Sequence, residues 1–326
     1  SEMCIRDRVR GLVTLNLLNG KIQPIQTKAV ILATEGHQGL WSSHNEGAGT
    51  GSALALAAGI SLSGLEWTPR HPLTTSDSSI HIPIDVLGSG GRIRRENGED
   101  VGPEEVLHGE KCVLDLRGMD SDSVIWFSQT ESRILDRLGI DISQDVIPIS
   151  PGVAFTIGGA PCDDNGRVTF QGFTEEGLPA ELWFSGLYAA GRSAFTGMHG
   201  QAPLAGNLLL DDLVSGKAAG NHASEWCSTA NFGGSEQIKN AEQEAAAKIS
   251  SFLESDGIPV GKFASKLSSA ISSGQSSKTD ALDAIREIKG SRIRLTDNSL
   301  VMNTEMLEAI RLGGLASIAE SILTTG

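Results

Sequence analysis

The sequence predicts an α/β fold, on three observations. Over residues 182–190 nearly every side chain is apolar without helical spacing, as in a strand buried on both faces. A loop with Gly191, Gly197 and Gly200 follows, and Leu204, Leu208, Leu209, Leu213 and Val214 open a helix expected to bury most of its first turns. Residues 29–34 form a second short buried strand, and from Ser235 the chain turns polar with helical spacing. A strand, a tight loop and a helix start together aim backbone N–H groups at a ligand and favour negative charge. An ordinary α/β unit without a ligand has the same features.

Composition bounds the answer. The 326 residues suffice for about two or three domains. With 39% hydrophobic and 20% charged residues the chain can bury a core. A net charge of −14 argues against nucleic acid and against an anionic membrane surface, although a local basic pocket can exist within it. Cys4, Cys112, Cys162 and Cys227 form no CxxC pair, which fits a reducing compartment and offers no metal site. No apolar run reaches the roughly 18 residues of a membrane span, and no signal peptide is visible.

The elements follow in order. Residues 1–8 (SEMCIRDR) match no downstream pattern and read as an expression or assembly scar. Residues 11–18 and 21–27 alternate around Asn19-Gly20, a two-residue hairpin signal. The strand over 29–34 ends in Glu35-Gly36. Residues 47–52 (GAGTGS) have the look of a phosphate loop, but no strand leads into them and no acidic residue stands at ribose-binding distance. They read instead as the start of a helix over 52–58 stopped by Gly59. No GxGxxG occurs anywhere. Residues 61–71 read as a strand and 82–94 as strand-like around Gly88-Ser-Gly-Gly91, with a turn at 96–99 and a short strand at 113–116. A helix is expected over 124–138 with Ile125, Ile134, Leu135 and Leu138 inward, and 140–149 returns to the sheet. Residues 163–167 are a tight turn. Helices over 236–252, 260–272 and 279–289 are broken by 257–259 and a serine-rich stretch. Asn303 or Thr304 caps a last helix to Ile322.

The run Gly186-Leu-Tyr-Ala-Ala-Gly191, then Met198-His-Gly200, then Asn207-Leu-Leu-Leu-Asp211, resembles the carboxy-terminal FAD signature of the succinate dehydrogenase / fumarate reductase / L-aspartate oxidase flavoproteins, a family of FAD-dependent oxidoreductases. The resemblance implies a partial, Rossmann-like FAD-binding domain over 9–71 and 151–230. It also implies an inserted α+β capping domain over 72–150 and a carboxy-terminal helical domain over 231–326. In that family the GxGxxG lies upstream of the point where this chain begins, so the expectation is a fragment without the first βαβ unit and with an incomplete helical domain. The partners implied are a small-molecule substrate and an iron–sulfur or electron-transfer subunit, with no nucleic acid and no direct membrane span. The location implied is cytoplasmic, or peripheral to a membrane through partner subunits.

The resemblance assigns FAD contacts to Thr34, Gly36, Thr50, Gly51, Ser52, Gly191, Arg192, His199, Gly200, Leu204, Asn207, Leu208 and Leu209, and substrate contact to His71. A helix start near the pyrimidine side suits reduced flavin, which carries negative charge there. Departures are many. Glu35 stands where the family has a glycine, Arg192 where it has a glutamate, and Leu208 where it has a serine. The substrate threonine falls on Pro83, a histidine on Ala154 and the carboxylate-clamping arginine on Pro203. Residues 101–110 hold no arginine to carry a proton, so Arg117 is the candidate replacement. Arg92, Arg94 and Arg95 could supply replacement charge from the cap, but a solvated hairpin is the simpler and preferred reading. His37, His44, His81, His108 and His222 have no ligand spacing. The expected function is an FAD-dependent oxidoreductase acting on CH–CH or CH–NH donors with an altered substrate. The alternative is a non-catalytic homologue serving in binding or assembly.

Overall fold

The computed structural model describes residues 8–41, 47–77, 80–174, 176–204, 206–253, 256–272 and 277–325. Cys4 and His44 therefore lie outside the described residues, as do 1–7 of the segment set aside as a scar. Arg8, set aside with them, belongs to the fold: it bridges Ser185 in parallel and its guanidinium lies 5.8 Å from the centre of the Trp226 ring. The chain forms two units. One holds residues up to Leu40, Gly47–Trp67 and Thr156 onward; the other holds Thr68–Phe155 with Trp41.

In the first unit β1 (Gly11–Asn16) and β2 (Lys21–Gln26) pair antiparallel from Gly11↔Gln26 to Asn16↔Lys21. The turn is longer than the Asn19-Gly20 pair suggests. Leu17–Gly20 all lie in it, because the Asn16 and Asn19 side chains accept the Leu18 and Lys21 N–H groups and close it locally. Strand β3 (Val30–Leu32) comes next, and α1 (Thr50–Ala57) starts after Gly49, whose φ is 59°.

The second unit is an antiparallel sheet with two helices. Its strands are β4 (Arg70–Thr75), β5 (Arg92–Arg95), β6 (Asp100–Val101), β7 (Cys112–Asp115) and β8 (Ile147–Val153), in the order β4-β8-β7-β5-β6. Helix α2 (Pro103–Leu107) and helix α3 (Ser121–Leu138) complete it. Leu73, Ile82, Val86, Ile93, Leu114, Phe127, Ile134 and Ile147 form one core. Three expectations change here. Residues 61–69 are not a strand: only Ser63 pairs, in a single bridge to Gly159. Ile84–Ser89 is a 3₁₀ turn behind Pro83, and the strand starts at Arg92. On α3, Ile125 and Leu135 face outward at 74% and 51% exposure, while Phe127 and Ile134 are fully buried. Seven residues is about two helical turns, so Phe127 and Ile134 share a stripe, and Ile125 lies roughly 200° away from it. The Asp120 carboxylate caps this helix by accepting the Ser123 N–H.

The chain then re-enters the first unit through β9 (Ala160–Pro161), β10 (Arg167–Phe173), β11 (Pro179–Ala189) and β12 (Ala194–Phe195). Strand β11 pairs antiparallel with β10 and parallel with β3, with Leu187↔Val30, Tyr188↔Ile31 and Ala189↔Leu32 in register. The two apolar segments thus share one sheet. Among the described residues β3 is its edge, which leaves Ile31 at 41% exposure while Leu32 is buried.

Helix α4 (Asn207–Thr229) packs on this sheet in a way the sequence does not suggest. Its contact face is Ala219 and Ala223, buried against Tyr188 and Ala190. The leucines of its first turns are turned away: Leu209, Leu213 and Val214 are 66%, 65% and 53% exposed, and Leu204 just before it 74%. Small residues four apart let the helix approach the sheet closely, so apolarity alone pointed to the wrong face.

Helices α5 (Glu236–Leu253), α6 (Val260–Ser272), α7 (Lys278–Gly290) and α8 (Thr304–Thr325) follow, with β13 (Ile258–Pro259) and β14 (Ile293–Arg294) paired between them. Asn303 is the cap of α8: its Oδ1 accepts the Met306 N–H at 2.8 Å. No helix of the described residues is long and apolar enough to cross a membrane. Cys112, Cys162 and Cys227 are free thiols, and no His/Cys/Asp/Glu group among the described residues could hold a metal.

Candidate functional site

Parallel pairing of β3 and β11 sets their carboxyl ends side by side, the place where α/β sheets bind ligands. Just beyond those ends lies a hydrogen-bonded knot. Ser193, fully buried, accepts the Thr34 N–H at 2.8 Å and donates to the Thr34 carbonyl at 3.0 Å. The Thr34 hydroxyl lies 3.1 Å from Ser193 Oγ and accepts the Gly51 N–H at 2.7 Å. This joins the end of β3, the start of α1 and the turn Gly191–Ser193. A Cβ on Gly51 would sit 2.6 Å from Ser193 Oγ, so only glycine allows that approach. Gly191, at φ 55°, gives its N–H to Ser215 Oγ, and a Cβ there would meet Asp212 Oδ1 at 2.3 Å.

Glu35 is accommodated at the rim. Its carboxylate accepts the Thr50 hydroxyl at 3.0 Å, beside the positive end of α1. Gly36 accepts the Gly49 N–H at 2.9 Å, and a Cβ on it would press on Thr156 Oγ1 at 2.5 Å. Thr156 Oγ1 in turn accepts the His37 N–H at 2.9 Å. His37 is fully enclosed, and burial lowers its pKa to about 4 against a weaker opposing bond with the Leu65 backbone. Ser52 is buried with its Oγ lacking a partner among the described residues.

Next to the knot is a cleft whose lining includes Thr156, Arg192, His199, Leu208, Asp211 and Asp212. It encloses only about 20 Å³, room for little more than a water molecule. His199 Nδ1 is 3.5 Å from the Asn207 amide, and its Nε2 is buried with no partner among the described residues. Burial raises the Asp211 pKa and Asp212 pushes the same way, while His199 and Arg192 oppose.

The thirteen assigned cofactor positions therefore divide. Thr34, Gly36, Thr50, Gly51, Ser52 and Gly191 lie in or against the knot, and Arg192, His199, Asn207 and Leu208 in or beside the cleft. Leu204 and Leu209 are exposed apolar side chains, as is Met198 at 65% exposure. Gly200 closes a turn with its N–H on Gly197 O. Sequence reasoning missed Ser193, Thr156 and Asp212. The visible signal for Ser193 was a lone hydroxyl between the strand end and Ala194.

In the second unit, His71 Nε2 donates to the Ile82 carbonyl at 2.6 Å, and its ring stands perpendicular to His81 at 6.0 Å. Thr74 Oγ1 is 2.9 Å from His81 Nδ1. The four arginines considered for a substrate role are paired. Arg92 and Arg94 meet Asp100, Arg95 meets Glu99, Glu105 and Glu110, and Arg94 and Arg117 converge on Asp115, each at 2.8 Å. The Arg117 guanidinium beside it, helped by Arg94, holds the Asp115 pKa at about 2.

Comparison with known proteins places these features. A family model described as FAD binding domain matches residues 2–209. The fumarate reductase flavoprotein subunit of Escherichia coli is 26% identical over 365 residues, spanning 96% of this chain and 58% of the relative. The L-aspartate oxidase of Bacillus subtilis is 28% identical over 298 residues, spanning 83% and 51%. The mitochondrial succinate dehydrogenase flavoprotein subunit of Oryza sativa is 25% identical over 351 residues, spanning 94% and 54%. The chain thus covers between half and three fifths of these relatives' length. A solved quinol-fumarate reductase aligns with a TM-score of 0.82 at 24% identity, over 97% of this chain and 62% of that one, and an E. coli quinol fumarate reductase with 0.79 at 23%, over 96% and 60%. These two likenesses show the fold.

Proposed function

The chain belongs to the FAD binding domain family, its cofactor is FAD, and from that premise we propose that it is the flavin-holding part of an oxidoreductase whose substrate is not succinate or fumarate. The knot at the ends of β3 and β11 carries this reading. It fixes the start of α1, the turn at Gly191 and the approach to α4 in one place, so that a flat ring can lie against a preformed surface.

The residues fit the ring end of FAD. His199 Nε2 is a buried polar atom with no partner among the described residues, and the exposed Met198, Leu204 and Leu209 would together give an apolar ridge for an aromatic ring. Because the cleft is so small, the ring would lie across this face rather than inside it. The pyrophosphate end fits less well. The amides of Gly49 and Gly51, the glycine-rich segment that could cradle it, are bonded to Gly36 O and Thr34 Oγ1. Bound FAD supplies hydride acceptance and release. The chain's residues orient the ring through His199, favour negative charge through the start of α4, and shed water through the leucine ridge.

The remaining assignments belong to the same proposal. Residues 72–150 act as a capping domain and 231–326 as a helical domain, with His71 on the substrate side. The pairing of Arg94 and Arg117 with Asp115 supports a less anionic substrate, since neither is left to clamp a carboxylate. The relatives named as flavoprotein subunits support an electron-transfer or iron–sulfur partner and a cytoplasmic or peripheral membrane location.

The test is anaerobic titration of the purified chain with FAD, followed by a panel of CH–CH and CH–NH donors. Bleaching of the flavin by a panel member supports the oxidoreductase. Flavin that binds but is bleached by none of them favours the non-catalytic homologue.

A further inference from the structure

The first unit contains a larger cavity, about 620 Å³, between α1, α5, α7 and α8. That volume is in the range of small-molecule sites. A Cβ on Gly314 of α8 would come within 2.9 Å of Ala53 Cβ, so α1 and α8 touch there. One residue earlier, a Cβ on Gly313 would have the Lys248 ammonium as its nearest neighbour, at 3.9 Å. Adjacent helix positions face about 100° apart, so Gly314 faces α1 while Gly313 faces Lys248 of α5.

The lining has two kinds of wall. Leu54, 55% exposed, and Ile310 are apolar. Opposite in character are Lys248, Lys289 and Arg311, against the single carboxylate of Glu320. Lys289 and Arg286 both bind Glu320, at 2.7 and 3.2 Å, so that carboxylate is already neutralised. Among the described residues Arg311 has one long ion pair, 3.5 Å to Glu308, which engages one nitrogen of its fork. No ion pair holds the Lys248 ammonium among the described residues. In a chain of net charge −14, a cavity with an excess of cations runs against the general field.

We propose that this cavity is a binding site for an aliphatic carboxylate. The carboxylate sits between Lys248 and Arg311, and the tail lies on Leu54 and Ile310. Neither group suffices alone, because an exposed ion pair is weak and a short alkyl tail buries little area.

Octanoate is the probe, and isothermal titration of the full chain without FAD is the measurement. Octanoate binds at one site, while acetate, which lacks the tail, and octanol, which lacks the charge, do not. Lys248→Gln and Arg311→Gln each weaken octanoate about tenfold, the value of one charge-assisted hydrogen bond. Leu54→Glu abolishes it. Circular dichroism melts confirm that each variant folds, and a variant that does not is replaced by Lys248→Glu, which lies on an exposed helix surface. Absence of octanoate binding overturns the proposal, as does binding unchanged in the Lys248 and Arg311 variants or matched by octanol.

Discussion

Ser193 and Thr34, 159 positions apart, hydrogen-bond in both directions: the Thr34 N–H donates to Ser193 Oγ at 2.8 Å and the Ser193 hydroxyl donates to the Thr34 carbonyl at 3.0 Å. Ser193→Ala leaves both backbone groups without a partner, and should cost about 1–3 kcal/mol in urea unfolding. Gly51→Ala should be destabilising too, because its methyl meets Ser193 Oγ at 2.6 Å. Removing the hydroxyl relieves that clash, so the double variant should be less damaged than the sum of the singles. Strict additivity would show that the knot is not a unit.

Stability should fall with acid in two separate windows. His37 has its pKa lowered from 6.5 to about 4, so the unfolded chain takes up the proton first. Stability is therefore full above pH 6.5 and is lost as pH falls toward 4, by about 3 kcal/mol in all. Denaturation midpoints across this range should flatten in His37→Gln.

Asp115 acts lower. Its pKa drops from 3.8 to about 2, so its contribution is present above 3.8 and is lost as pH falls through 2. The partners Arg94 and Arg117 are 30% and 45% exposed, which screens the pair and reduces the expected effect to about 1–2 kcal/mol. Asp115→Asn should remove this lower window and leave the His37 window intact.

FAD should bind weakly, because the Gly49 and Gly51 amides are already bonded within the fold. A dissociation constant of roughly micromolar or weaker is expected, and His199→Ala should weaken it about tenfold further. Nanomolar binding would place the cofactor elsewhere on the chain.

Fumarate reduction, followed with a low-potential dye after FAD loading, should be far slower than in ordinary members of the family. A positioned proton donor contributes roughly 10²–10⁴-fold, and Arg117 is held by Asp115 through both carboxylate oxygens. Turnover at ordinary rates, abolished by Arg117→Ala, would reverse this expectation.

The sheet was legible because 29–34 is a short run rich in branched apolar residues and 182–190 is apolar except at Ser185 and Gly186. The carboxy-terminal helices were legible because Ser277 and Asn303 are good caps and the breaks contain Gly, Pro and Ser. The orientation of α4 was not, since Ala219 and Ala223 pack closely without standing out in an apolar count. Ile84–Ser89 read as strand from its composition, whereas Pro83 and the following residues form a 3₁₀ turn. Within the candidate site, the glycines were visible from their pattern. Ser193 and Asp212, which make those glycines necessary, depend on contacts between distant parts of the chain.

The leucine ridge of α4 also governs how the protein behaves as a colloid. Leu209, Leu210, Leu213 and Val214 are all more than half exposed, a patch that would adhere to its copy on another molecule. What opposes this in dilute neutral buffer is mutual repulsion from a net charge of −14. That repulsion vanishes near pH 4.9 and is screened by salt, so turbidity should rise steeply on approach to that pH, and sooner in concentrated brine. Replacing Leu209 and Leu213 by glutamate should keep such solutions clear without touching the face that packs on the sheet.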